Sequence, residues 1–238
     1  MKHETQTVSD QKKPFQQPKR VTEFRSAAQD NDPLLYPGER PETSYVTDGM
    51  SVRAIDVANI DDTLVFTIED EEGSRPLDEY LHAQGVPTIE DRIPVLAFGA
   101  NMSPSSLKSK FTKVGRPDAH VIPTIYGALP GHDVVWSSGP GVNGNPIAIL
   151  YEGEETKDTT VQVGVNFLTR EQMIVMHATE LAYNLSSVTV EVADKPIKAY
   201  YYAGHDSVYT ADTHPVAIES IPAEGRVLTE ASAEGLVD

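Results

Sequence analysis

The residues of this chain best suited to chemistry fall in two short stretches. The first is Val95–Asn101, VLAFGAN, where an apolar strand runs into Gly99 and then directly into the helical pattern SPSSLKSKF. Ser103 is placed to cap that helix and Pro104 to open it. Gly99 permits a tight turn, and backbone N–H groups freed near a helix start favour an anion. A substrate carboxylate or a developing oxyanion suits that place, and Asn101 adds a side-chain amide. The plain alternative is an ordinary strand-to-helix turn, because short glycine motifs are common.

The second stretch is TREQMIVMHATEL. Thr169 and Gln172 form a T-x-x-Q capping box, which predicts a helix beginning there. Met173, Met176, His177 and Glu180 then fall at i, i+3, i+4 and i+7 and share one face. Two methionines turn that face inward. A carboxylate on an inward face is costly unless paired or neutral, and one drawn out of water is a better proton acceptor. The alternative is an exposed acid near a helix C-terminus, a position that opposes the helix dipole. Glu180 is therefore the candidate catalytic acid/base.

Other chemistry is poorly served. The loop SSGPGVNGNP, residues 137–146, lacks the Lys-Ser/Thr of a phosphate loop and the spacing of a dinucleotide fingerprint; it serves as a flexible connection or borders a cleft. His177 and Glu180 could chelate a metal with His205 or His214, but no H-E-x-x-H spacing appears. There is no G-x-S-x-G and no cysteine, which excludes a cysteine nucleophile, thiolate metal sites and disulfides.

The elements that must position these residues are mostly strands. From Ile93 onward IPVLAF, AHVIPTIYGAL, HDVVWS, PIAILYE, TVQVGVNFL, SVTVEVA and KAYYYA are separated by turn signals, with the two helices between them. This predicts an α+β fold in which a closed or nearly closed barrel is flanked by a few helices. Upstream, SVRAIDVANI and DTLVFTIEDE pair as a hairpin across Asp61–Asp62, and PLDEYLHAQG is a short helix with Pro76 in its first turn and Gly85 at its end. Residues 1–45, with Pro at 14, 18, 33, 37 and 41 and few β-branched or aromatic residues, are expected to be a disordered tail.

The net charge is −17, and the first 40 residues hold seven basic and six acidic groups, so the rest carries −18. Such a body repels nucleic acid and anionic membranes. No apolar leader and no run of about 18 apolar residues is present, so the expectation is a cytoplasmic protein with no membrane association.

Taken together, the pieces resemble the gamma-glutamyl cyclotransferase family. That family has a strand ending in a Tyr-Gly-Ser-Asn turn followed by a helix, matched here by Phe98, Gly99, Ala100 and Asn101. GNPIAILYE, residues 144–152, Gly164-Val165, and a capped helix with Glu180 and then Tyr183 match the parts that follow, with SVTVEV as the next strand. The resemblance covers roughly residues 93–205, under half of it by identifiable motif, and the domain it implies spans 93–238; residues 46–92 are a hairpin-and-helix extension and 1–45 the tail. It implies a small mixed β-barrel and a cofactor-free, metal-free reaction on a γ-glutamyl compound. The substrate's α-amine attacks its own γ-carbonyl, 5-oxoproline forms and an amine leaves. Glu180 would move the proton, and Phe98, Gly99, Ala100, Asn101, Met102 and Tyr183 would bind substrate. Phe98 and Ala100 lack the family's two hydroxyls, so a non-catalytic binding module and a protein-interaction module stand beside the enzyme reading. The spacing of His177 predicts that metal analysis of the purified protein finds no stoichiometric zinc; a stoichiometric zinc would reverse that reading.

Overall fold

A computed structural model describes residues 19–20, 24–25, 32–49, 51–70, 73–112, 120–140, 146–180, 183–204 and 207–236. A two-residue strand β1 (Lys19–Arg20) precedes β2 (Tyr45–Asp48), β3 (Ser51–Ile60), β4 (Thr63–Asp70) and β5 (Gly73–Pro76). Helix α1 (Leu77–Ala83) leads to β6 (Ile93–Ala97), and α2 (Pro104–Thr112) to β7 (Val121–Pro130), β8 (Asp133–Pro140) and β9 (Pro146–Tyr151). Strand β10 (Thr160–Leu168), helix α3 (Arg170–Thr179), β11 (Tyr183–Val192) and β12 (Lys195–Gly204) complete the main body.

Five strands close a ring. β10 pairs antiparallel with β6 and with β7, β7 with β11, and β11 with β12; β12 returns to β6 in parallel. The fold is α+β, a small closed mixed barrel with helices at its flank. Alternation along the strands sorts the side chains into two cores. Leu96, Ile125, Val163, Val165, Phe167, Val190 and Ala199 belong to the large cluster. Val95, Ile122, Leu168 and Tyr202 point the other way, under Leu107 and Phe111 of α2 and Met176 of α3. Strands buried on both faces read as near-continuous apolar runs, which is how IPVLA and TVQVGVNFL read. Where β7 crosses β11, a Cβ on Gly127 would lie 2.6 Å from Val190 Cγ1 and 2.7 Å from the Glu191 carbonyl, so the closing contact requires glycine.

The extension is continuous with the barrel sheet. β2 pairs with β7 and β3, β3 with β4, and β4 with β5. The β3–β4 turn is made by Asp61 and Asp62 at φ 48° and 65°, the left-handed pair that a two-residue hairpin demands. Gly85, at φ 69°, follows α1. Downstream, Arg226 forks onto the buried Asp133 carboxylate (2.8 and 2.7 Å) and Trp136 Nε1 donates to the Ala231 carbonyl, which ties the C-terminal segment to β8. Among the described residues no helix is long and apolar enough to cross a membrane.

The expected tail needs correction at its C-terminal end. Most of residues 1–31 lie outside the described residues, but 32–45 are packed. Tyr45 is fully buried and its hydroxyl donates to the Met102 carbonyl at 2.9 Å; Tyr126 donates to the Pro41 carbonyl at 2.7 Å; Arg40 donates to the Ser220 carbonyl. Phe24 is buried too, with Ser105 donating to its carbonyl, and β1 pairs with β3. These are isolated anchors in a proline-rich context, and a search for apolar periodicity does not register single anchors. Tyr45→Ala is expected to destabilise the fold by about 3–5 kcal/mol, the usual cost of emptying an aromatic core site. The denaturant midpoint reads this, and an unchanged midpoint would restore the boundary near 45.

Candidate active site

The α3 helix starts where the sequence places it. Thr169 Oγ1 accepts the Gln172 N–H at 3.2 Å, and Gln172 Oε1 accepts the Thr169 N–H at 2.8 Å. Buried Arg92 reinforces this cap: its guanidinium donates to the Val121 and Phe167 carbonyls at 2.9 and 3.1 Å and lies 3.4 Å from Gln172 Oε1. A helix fixed so firmly at its N-terminus delivers its C-cap residue, Glu180, to a defined place. On the shared face, Met176 is fully buried and Met173 packs beside it, whereas His177 is exposed, its Nδ1 3.4 Å from the Tyr202 hydroxyl.

The turn after β6 is built from within the barrel. Phe98 and Gly99 lead into a single 3-10 turn, Ala100–Met102, closed by the Met102 N–H on the Gly99 carbonyl at 2.9 Å. Asn166 lies on β10, fully buried. Its Oδ1 accepts the Thr124 hydroxyl at 2.8 Å, and its Nδ2 donates to the Asn101 carbonyl at 3.1 Å. Met102 is buried and carries the Tyr45 contact already described. Phe98 packs against the large core.

The two stretches meet. Asn101 Nδ2 donates to Glu180 Oε1 at 3.3 Å, and Lys110 Nζ of α2 donates to the same oxygen at 2.6 Å. Both members of that ion pair are largely sheltered, with side chains 16% and 14% exposed. Tyr183, the first residue of β11, gives its N–H to the Glu180 carbonyl at 3.1 Å, and its ring borders the second core.

Tyr36 completes the constellation from outside the barrel. Its oxygen accepts the Ala148 N–H at 2.7 Å. A Cβ on Gly99 would stand 2.6 Å from that oxygen, so glycine is what admits the phenol. Its ring packs on Trp136 with centroids 5.7 Å apart. Burial pushes the Tyr36 phenol up, the Ala148 N–H pulls it down, and Tyr183 and Glu180 push it up further.

Of the residues read from sequence, Gly99, Ala100, Asn101, Glu180 and Tyr183 therefore share one neighbourhood, with Met102 and Phe98 behind it. Sequence reasoning missed Asn166, Lys110 and Tyr36. Asn166 had a signal, a lone amide inside an apolar strand. Lys110 reads as an ordinary helix cation, and Tyr36 stands in the segment expected to be unfolded. His205 and residues 141–145 of the glycine-rich loop lie outside the described residues. His214 lies 3.8 Å from Glu155, and among the described residues no three His, Cys, Asp or Glu side chains are grouped to hold a metal ion.

The buried phenols set a pH dependence. Tyr202 is pushed up to about 12 by burial, with the Glu180 carboxylate adding to it. A folded pKa above the unfolded value of about 10 gives stability that is complete below pH ~10 and is lost as pH rises through the folded value. The unfolding free energy is thus expected to fall between pH ~10 and ~12, less steeply in Tyr202→Phe. A fall in that window as steep in Tyr202→Phe as in the parent would contradict this.

No family model matches the chain. None of the curated proteins matches it. Among solved structures, allophanate hydrolase from Kluyveromyces lactis aligns at 14% identity and a TM-score of 0.37, over 53% of this chain and 19% of that one. Urea amidolyase from K. lactis aligns at 14% identity and a TM-score of 0.37, over 53% of this chain and 7% of that one.

Proposed function

We propose that the chain is a gamma-glutamyl cyclotransferase-like enzyme that releases 5-oxoproline and an amine from a γ-glutamyl compound, with Glu180 as its acid/base. The observation that carries the reading is the divided environment of the Glu180 carboxylate. Oε1 is held by Asn101 and Lys110, while Oε2 accepts no hydrogen bond among the described residues. One oxygen is anchored and the other is left to exchange a proton, which is what a positioned general base requires. The Lys110 ammonium on this carboxylate also has the charge and hydrogen-bonding character of a substrate α-ammonium, so the site suits that group.

In the reaction the α-ammonium gives a proton to Oε2, and the freed amine attacks the γ-carbonyl carbon of the same molecule. A C–N bond forms, the carbonyl π pair moves to oxygen, and the intermediate collapses by breaking the bond to the leaving amine. That amine takes the proton back from Glu180; the ring nitrogen, which still carries two hydrogens, then passes its surplus proton through the same carboxylate to the amine, which departs as an ammonium and leaves neutral 5-oxoproline. Because nucleophile and electrophile belong to one substrate, the protein contributes mainly position and charge. Neither step calls for a metal or an organic cofactor.

A second reading, a binding module on the same fold, is favoured by Phe98 and Ala100, which lack side-chain donors where the family resembled has them. The two readings part on a panel of γ-glutamyl amino acids and γ-glutamylamines assayed for 5-oxoproline. Turnover is expected, with a loss of ~10²–10⁴-fold in Glu180→Gln, the usual worth of a general acid/base. Absence of turnover across the panel would leave the binding module, and turnover undiminished in Glu180→Gln would remove Glu180 from the chemistry.

A further inference from the structure

The hydroxyl of Tyr36 has one proton and two lone pairs. One backbone donor, the N–H of Ala148, occupies the oxygen at 2.7 Å. Among the described residues the proton of this hydroxyl has no acceptor. The ring cannot drift to find one, because it is wedged between Trp136 and the Gly99 backbone. Donors that feed a hydroxyl oxygen polarise its O–H bond and strengthen it as a donor. The result is a hydroxyl donor set against the Gly99 turn, a place that suits a substrate carboxylate or a developing oxyanion.

We infer that Tyr36 is a catalytic residue of the proposed reaction, donating its hydroxyl proton as a hydrogen bond to the oxygen of the γ-carbonyl as negative charge develops there. The inference rests on the cyclotransferase reading and changes one part of it. The oxyanion is met by a side-chain hydroxyl in addition to the turn, and the Ala148 N–H acts through that phenol. The proton stays on Tyr36 throughout, in keeping with the neutral phenol that burial favours. Tyr36 keeps its charge throughout: the oxyanion forms against its O–H, then re-forms the carbonyl as the leaving amine departs with the proton that Glu180 carried. The Phe98 position, which lacks the hydroxyl of the family's turn, is compensated by one brought from a distant segment.

Tyr36→Phe removes the donor and keeps the ring on Trp136, so the fold is retained; coincident thermal unfolding of the variant and the parent checks this. On whichever γ-glutamyl compound the parent turns over, kcat should fall by ~10–10³-fold while KM moves by less than about threefold, because the bond strengthens only in the transition state. A change confined to KM would make Tyr36 a binding group and overturn the inference. So would an unchanged kcat. A rise in kcat would identify the phenol as a plug on the Ala148 N–H and overturn it equally. Failure of the parent to release 5-oxoproline is a separate result: it removes the cyclotransferase reading itself and the inference with it, and shows in the parent alone.

Discussion

Everything at the site hangs on one buried amide. Asn166 sits inside the barrel wall with no exposure, and a primary amide there is tolerable only if its oxygen and nitrogen are both served. Thr124 on the neighbouring strand serves the oxygen, and the Asn101 carbonyl serves the nitrogen. The requirement runs in both directions. The barrel needs the turn to satisfy Asn166, and the turn needs Asn166 to hold its carbonyl while the Asn101 side chain faces Glu180. A hydrophobic residue of similar size would pack the wall equally well and would leave the turn without its inner support.

Charge placement follows from the same frame. The body of the protein is strongly acidic, yet the sheltered carboxylate of Glu180 is met by a lysine from α2, the helix that begins at the Asn101 turn. The two site segments are thereby joined twice, once by an amide and once by an ammonium. At these exposures the pair is neither a fully screened surface contact nor a dry core pair.

The strands and helices of residues 51–204 were legible because each carries a local signal: period-two alternation, the Asp61–Asp62 turn, the Thr169–Gln172 cap. The convergence of Asn101 with Glu180 was legible only through the order of motifs, since they stand far apart in the chain. Residues 32–45 were not legible. Tyr36 and Tyr45 each bury against partners distant in sequence, Ala148 and Met102, and nothing adjacent to them repeats. Proline content correctly reports that such a segment has no regular structure of its own. It does not report that individual side chains are claimed by a surface formed elsewhere.

The parallel return of β12 to β6 has a consequence for the order in which the molecule can assemble. Tyr200 registers with Val95, and β10 must already lie between β6 and β7 for the ring to be complete. Closure is therefore dominated by pairings of high sequence separation, whose loop entropy must be spent before any contact repays it. During synthesis the early hairpin and α1 have their local partners at once. The strand that carries Asn166 and the helix that presents Glu180 both emerge before the strand that locks them in. Until that last strand docks, the apolar strand β6 has one edge unpaired, and the nascent chain passes through a stage in which that edge is open to pairing with other chains.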